Sequence, residues 1–275
     1  MVRLILPRSG AMARRRPGSA EAEQVVAANV DLVLVVESLE RGPSPRRIER
    51  ATALAWDGGA SPVVVLTKAD TCPDLVASIE RAREGAPYSD VLAVSAISGA
   101  GLEAIAEKLP AGSTAVLLGP SGVGKSTLIN RLLGEERLAV GEVRSGDRKG
   151  RHTTTHRELV VLPAGGCLID TPGIRELGLW LDKDAVKTVF PEIDEAAQGC
   201  RFGDCRHESE PGCAVRDAVE GGTIDPRRLE SFIRLRREVE NLDLRRDESK
   251  RHENRARQRS FGKMVRQVMK IKGQR

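Results

Sequence analysis

Apolar and polar positions follow two rhythms along this chain, and their alternation predicts its architecture. Val30 to Val36 is apolar at every position but Asp31, the pattern of a strand buried on both faces. Pro45 to Trp56 has helical spacing, and Pro62 to Leu66 reads as a second buried strand. Asp74 to Arg83 is a helix, Asp90 to Val94 a third strand and Leu102 to Leu109 a further helix. Thr114 to Leu118 is a fourth strand, and Leu128 to Leu133 begins the next helix. Arg157 to Leu162 and Cys167 to Asp170 look like paired strands. Such alternation implies right-handed βαβ units and an α/β fold, a mostly parallel sheet with helices on both faces. Residues 1–29 hold a β-like piece from Val2 to Leu6, a basic turn at Arg14 to Arg16 and a polar run. They are too few to bury a core of their own. Far downstream, Asp225-Pro226 gives an N-cap followed by proline at the first helical position. The helix after it carries Leu229, Phe232, Ile233, Leu235, Val239 and Leu242 on one stripe.

Between the fourth strand and its helix lies Gly119-Pro120-Ser121-Gly122-Val123-Gly124-Lys125-Ser126-Thr127. This fits G-x-x-x-x-G-K-[ST], a phosphate-binding loop in the strand–turn–helix setting that the motif needs. Gly119, Gly122 and Gly124 let successive N–H groups turn toward one anion, and the helix N-terminus adds partial positive charge. Lys125 would reach the β- and γ-phosphates, and Ser126 would ligate Mg²⁺. The bland reading is a glycine-rich turn without a ligand; Lys125-Ser126 at a strand-to-helix turn weighs against it.

Ligands of open α/β sheets bind at the carboxyl ends of the strands. The second strand ends in Thr67-Lys68-Ala69-Asp70. A carboxylate accepts from both the ring N1–H and the exocyclic amine of guanine, while adenine offers no such donor pair. The Lys68 stem would lie over the base. The third strand ends in Ser95-Ala96, where a backbone N–H would reach guanine O6. Asp170-Thr-Pro-Gly173 is D-x-x-G after a buried strand; Asp170 would hold Mg²⁺ through water and the Gly173 N–H would meet the γ-phosphate. In Gly150-Arg-His-Thr-Thr-Thr155, either Thr153 or Thr154 would complete the Mg²⁺ shell; the alternative is an ordinary solvated loop. The order of these motifs is a circular permutation of the Ras-type order, in which the phosphate loop comes first. The chain beyond Gly173 is therefore tied covalently to the segment that responds to the γ-phosphate.

Downstream of Gly173 lies Cys200-x₄-Cys205-x-His207-x₅-Cys213. Three thiols and an imidazole make a closed tetrahedral zinc site of the structural kind, with a disulfide pair as the alternative. Cys72 and Cys167 stand apart as packing residues. Charge is divided along the chain. Of 44 Lys/Arg and 39 Asp/Glu, residues 245–275 hold 12 and 3, a net +9, leaving a net −4 in residues 1–244. Such a tail is a footprint for a polyanion, and ribosomal RNA is the expected one; a solvated charged helix is the alternative. Aromatic residues make up 3% of the chain, which excludes a broad surface built on base stacking. Five cysteines, no signal peptide and no apolar run long enough for a membrane span point to the cytoplasm.

The permuted order, together with G-P-S-G-V-G-K-S-T, G-R-H-T-T-T, D-T-P-G and C-x₄-C-x-H-x₅-C, resembles the bacterial ribosome small-subunit-dependent GTPase A family. The resemblance implies GTP hydrolysis stimulated by the small ribosomal subunit during its late maturation, one structural zinc and contact with rRNA. It also implies an N-terminal OB-fold, of which residues 1–26 look like a remnant or linker. The expected division is a GTPase domain over 27–182 and a zinc-binding helical domain with a basic arm over 183–275, acting as a monomer away from membranes. The rivals are a permuted GTPase of large-subunit assembly and a zinc/RNA-binding module that uses GTP as a switch only. The position after D-x-x-G, where Ras-type enzymes place a water-orienting glutamine, is Ile174. His152, in the loop with the Mg²⁺-binding threonine, is the candidate to orient water instead, with Lys125 as the other catalytic group.

Overall fold

A computed structural model describes residues 7–15, 23–137, 158–170, 183–241 and 244. Two strands, β1 (Ala11–Arg15) and β2 (Glu23–Ala28), pair antiparallel. The α/β body comes next: β3 (Leu32–Ser38), α1 (Pro45–Asp57), β4 (Ser61–Thr67), α2 (Leu75–Arg83), β5 (Asp90–Ala93), α3 (Leu102–Glu107), β6 (Thr114–Leu118) and α4 (Lys125–Leu133). Then come β7 (Glu158–Val161), β8 (Cys167–Asp170), α5 (Lys183–Val189), α6 (Pro191–Ala197), α7 (Ala214–Glu220) and α8 (residues 226–241).

Six strands form one sheet in the order β5-β4-β3-β6-β8-β7, parallel except for β7. Alternate residues of the central strands face opposite sides. Val33, Val35, Val64, Leu66, Val116 and Leu118 pack beneath α1, α5, α6 and α8. Leu34, Val36, Val63, Val65, Ala115 and Leu117 pack against Ile105 of α3 and Leu128 and Ile129 of α4. The expected strands and helices of the body all form, with ends shifted by a residue or three. Asp31 binds the amino ends of the central strands together. Its N–H donates to the Thr114 carbonyl, its carbonyl accepts from Ser61, and its carboxylate accepts from the Thr114 N–H at 2.8 Å.

The N-terminal hairpin, β1 with β2, was not expected from the sequence pattern; the β-like piece from Val2 to Leu6 lies outside the described residues. Met12, Val26 and Ala27 are buried in the same core as α1, so the hairpin borrows a core that it could not build alone. A Cβ on Gly58 would lie 2.5 Å from the Met12 side chain, and one on Gly10 would lie 2.3 Å from the Gly58 carbonyl oxygen; glycine at both positions permits the docking.

The short helices α5, α6 and α7 carry no long apolar stripe and were not expected from the sequence. They are held by packing: Val189, Phe190, Ile193, Val215 and, from α8, Phe232, Leu235 and Val239 are buried in one cluster with Leu54 of α1. An ionic seam runs beside it. Glu49 of α1, 5% exposed, faces Arg228 at 3.8 Å and Arg234 at 3.6 Å, and Arg50 pairs with Glu238. The Arg228 guanidinium also donates to Glu192 at 2.8 Å and to the Val189 carbonyl at 2.8 Å, and lies 4.2 Å from the Phe190 ring centroid. Among the described residues, no helix is long and apolar enough to cross a membrane.

Candidate functional site: phosphate loop, strand ends and a cysteine–histidine knuckle

The phosphate loop leaves the sheet where the connections change direction, between β3 and β6. Ligands gather at such a switch point. β3 and β4 stay paired as far as Ser38 and Thr67, whereas β6 stops opposite Val35 at Leu118. The chain therefore turns at Gly119 directly beside β3, and a Cβ there would lie 2.3 Å from the Val36 carbonyl oxygen. Gly122 and Gly124 have φ of 79° and 97°, a region open to glycine, and Gly124 starts α4 by accepting from the Leu128 N–H at 2.9 Å. The Lys125 ammonium donates to the Gly119 and Pro120 carbonyls at 2.8 and 2.7 Å, so it curls over the loop's own backbone. Ser126 and Thr127 sit half-buried in the first turn of α4.

The overhang of β4 puts Thr67 to Asp70 against this loop. The Thr67 hydroxyl lies 2.5 Å from the Val123 carbonyl oxygen and 3.1 Å from that of Glu37, tying the ends of β4 and β3 to the phosphate loop. Lys68 adopts the left-handed conformation, and its ammonium meets Glu40 at 2.5 Å. The Ala69 N–H donates to the Val94 carbonyl at 3.0 Å, which joins this turn to the next one. There the buried Ser95 hydroxyl donates to Asp70 Oδ1 at 2.5 Å and accepts from the Ile97 and Ser98 N–H groups, both at 3.2 Å. Asp70, distant in sequence from Ser95 and Ala96, thus shares a turn pair with them at the sheet edge that also holds Gly119 to Thr127. Asp170 ends β8, next to β6 on the other side. His152, Thr153, Thr154 and Gly173 lie outside the described residues, as does the basic stretch 245–275.

Two partners here were missed by sequence reasoning. Arg47 donates to both oxygens of the buried Glu37 carboxylate, at 2.9 and 2.7 Å, and this pairing raises the arginine pKa. The pair braces the end of β3, whose backbone carries the Thr67 contact. The second is Glu40, which fixes Lys68. A charged residue ending an otherwise apolar strand was the available signal for Glu37; nothing local marks Glu40.

The second centre is the knuckle. The ligand atoms of Cys200, Cys205, His207 and Cys213 all lie within 4.8 Å of one another, the one such cysteine–histidine group among the described residues. His207 Nδ1 is 3.6 Å from the Cys200 sulfur and 3.4 Å from that of Cys213, and those two sulfurs are 4.0 Å apart. A tetrahedral zinc with ordinary bond lengths needs edges of about 3.8 Å between sulfurs and about 3.6 Å between sulfur and nitrogen. The donor set fits, its four positions close the shell, and none of the three cysteines is in a disulfide, which leaves each free to ligate as a thiolate. The cluster can therefore hold a metal ion. Burial and the neighbouring Arg236 lower the His207 pKa, which favours the neutral imidazole, the form able to ligate a metal. Burial and the Cys213 and Cys200 thiols push the Cys205 thiol up to about 11 when protons alone compete for the sulfurs. The Glu210 carboxylate accepts from the Arg206, Glu208 and Ser209 N–H groups at 2.9, 3.0 and 3.1 Å; these hold its pKa down to about 2 and fix the turn around His207. Cys72 and Cys167 are half-buried and remote from this cluster.

Comparison with known proteins adds what geometry alone does not. The RsgA GTPase family model matches residues 5–180. The chain belongs to the RsgA GTPase family. Relatives named small ribosomal subunit biogenesis GTPase RsgA include one from Opitutus terrae, 50% identical over 238 residues, and one from Streptomyces coelicolor, 48% identical over 277 residues. These alignments cover 86% and 98% of this chain, and 65% and 75% of the relatives. The chain thus spans about two thirds of the first relative's length. Among solved structures, the crystal structure of YjeQ from Thermotoga maritima is 29% identical with a TM-score of 0.64, over 86% of this chain and 77% of that one. The structure of YloQ, a circularly permuted GTPase, is 23% identical with a TM-score of 0.60, over 86% and 82%. The RsgA fold is therefore the permuted GTPase fold expected from the motif order. An ABC transporter family model also matches, over residues 102–266. That stretch contains the Gly119 to Thr127 loop but begins after Asp70 and Ser95.

Proposed function

We propose that this chain hydrolyses GTP while docked on the small ribosomal subunit, in the cytoplasm, and that hydrolysis is coupled to late maturation of the subunit and to its own release. The observation that carries the reading is the meeting of two sequence-distant turns, Asp70 with Ser95, beside the Lys125 loop. It is supported by the small-subunit biogenesis name that the relatives share.

Gly119 to Thr127 would cradle the phosphates through backbone N–H groups, with Lys125 swinging from the Gly119 and Pro120 carbonyls onto the β- and γ-oxygens. Asp70 would accept from guanine N1–H and the exocyclic amine, steadied by Ser95, with the Ala96 N–H at O6. Lys68 would cover the base face, braced by Glu40. Mg²⁺ with GTP would bridge and neutralise phosphate charge; Ser126, Asp170 and one of Thr153 or Thr154 are the residues to hold it, and Gly173 would sense the γ-phosphate. Zinc in the Cys200, Cys205, His207 and Cys213 shell would hold the knuckle rigid. With Ile174 unable to orient water, His152 is the proposed water-positioning group, brought to the site by subunit docking.

Titration with GTP and ATP, then single-turnover hydrolysis of each, tests the reading; comparable binding of the two nucleotides would overturn it. His152→Ala should lower subunit-stimulated turnover at least tenfold, about 1.4 kcal/mol of barrier, with GTP affinity nearly unchanged. Full stimulation in that variant would assign the group to the subunit.

A further inference from the structure

One aromatic side chain on the knuckle stands apart. Phe190 and Phe232 are buried and meet edge to face, with ring centroids 5.6 Å apart. Phe202 is 42% exposed, on the four-residue turn between the ligands Cys200 and Cys205. About two fifths of its surface stays in water, so burial in the core does not by itself account for its place.

The turn that presents it is well fixed. Cys200 and Cys205 anchor its ends, the Cys205 N–H donates to the Phe202 carbonyl at 3.2 Å, and the Arg201 N–H donates to the Gly212 carbonyl at 3.0 Å. Its outer side is open: a Cβ on Gly203 would meet nothing within 4 Å. The Arg201 guanidinium lies over the Phe202 ring, 5.6 Å from the centroid. Arginines are common nearby, but Arg206, Arg216, Arg228, Arg234, Arg236 and Arg237 each pair with a glutamate. Arg201 makes no ion pair among the described residues, and the ring is its neighbour instead. A rigid exposed ring backed by a guanidinium offers a planar, cationic platform, which fits a nucleobase with its phosphate. An apolar protein partner would need a wider greasy surface, whereas the rest of this turn is Arg201, Gly203 and Asp204, all exposed.

We propose that Phe202, with Arg201 behind it, is a stacking platform for a single unpaired RNA base. The proposal rests on the RNA-docking reading above and deepens it by naming a contact and its chemistry. It accords with the low aromatic content, because one ring fixes one base and the spread-out affinity comes from charge. The phenyl ring carries no charge, so Phe202 contributes stacking while any counterion release at this turn comes from Arg201.

The test uses the full zinc-loaded chain and a short fluorescein-labelled single-stranded RNA of mixed sequence, beside the duplex of the same sequence. Phe202→Ala should weaken single-strand binding at least about fivefold, the low end for one stacked base, and leave the salt slope, the duplex affinity and the zinc content unchanged. Phe202→Leu should bind as weakly as Phe202→Ala, while Phe202→Trp should match the wild type. Arg201→Ala should reduce the salt slope by about 0.7, the share of one phosphate contact on a single strand. Wild-type affinity in Phe202→Ala would overturn the platform alone. Full affinity in Phe202→Leu would show apolar burial rather than stacking. Absence of RNA binding by the wild type would overturn the RNA-docking reading as well, and leave GTP hydrolysis to its own test.

Discussion

The nucleotide end and the knuckle are built on opposite principles. At the nucleotide end the backbone does the positioning. Parallel strands of unequal length bring Gly119 against Val36, Thr67 against Val123 and Asp70 against Ser95, and each contact is a consequence of register. The central strands beneath are buried on both faces and would hold this edge in shape without a ligand. At the knuckle, side chains do the positioning. Cys200, Cys205, His207 and Cys213 converge from short turns around a point that could hold a metal ion, and two of the helices beside it, α6 and α7, are seven residues long. A register-built site keeps its geometry when a side chain is cut; a ligand-built site does not.

That contrast sets what each substitution should do. Lys125→Ala removes the ammonium curled over the phosphate loop, so GTP hydrolysis should fall by about 10²–10³-fold or more, with zinc content and melting temperature unchanged. Loss of zinc in this variant would show that the two ends are not separately built. Asp70→Asn should cost about 2–4 kcal/mol of preference for GTP over ATP, because the amide matches only one guanine donor and turns an N–H toward the other. Calorimetric titration of the two nucleotides reads this, and unchanged discrimination would remove Asp70 from the base site. Cys205→Ser should lose the metal and loosen the turns from 200 to 213, since binding energy there is folding energy, while GTP affinity changes by less than about threefold. Elemental analysis and nucleotide titration on the same sample give both readings.

The smallest effect belongs to the seam. Burial raises the Glu49 pKa above its usual 4.5, with the Arg228 and Arg234 guanidiniums opposing. The folded chain then holds that proton more tightly than the unfolded chain. The resulting contribution to stability is complete below about pH 4.5 and is lost as the pH rises through the folded pKa. Glu49→Gln, which cannot titrate, should flatten this part of the stability–pH curve and shift neutral-pH stability by about 1 kcal/mol. Chemical denaturation across pH 4–8 checks it; parallel curves for the two proteins would contradict it.

Legibility in the sequence divides along the same line. The phosphate loop, Thr67 to Asp70, Ser95-Ala96 and the four knuckle ligands are each a short string whose spacing carries its chemistry, and the structure brings each set together. The central strands were legible because burial on both faces leaves an unbroken apolar run. The seam was not, because Glu49 meets Arg228 and Arg234 across more than 170 residues, and only the packing of α8 on α1 makes them neighbours. The helices α5 to α7 were missed for a related reason: at seven residues they have almost no periodicity, and Phe190, Ile193 and Val215 show their role only within the shared cluster. The hairpin strands β1 and β2 were not read because Ala11 to Arg15 and Glu23 to Ala28 are short and mix small, charged and apolar residues without a sustained alternation.

The central claim is that the register-built end needs the ligand-built end, and the partner it docks on, to hydrolyse GTP efficiently. Single-turnover GTP hydrolysis by the wild type and by Cys205→Ser, each with and without purified small ribosomal subunits, measures this directly. The account predicts slow and equal intrinsic rates, stimulation of at least about tenfold in the wild type, the scale of one well-placed catalytic group, and loss of that stimulation in Cys205→Ser. Equal rates with and without subunits in the wild type, or full stimulation of the zinc-free variant, would contradict it.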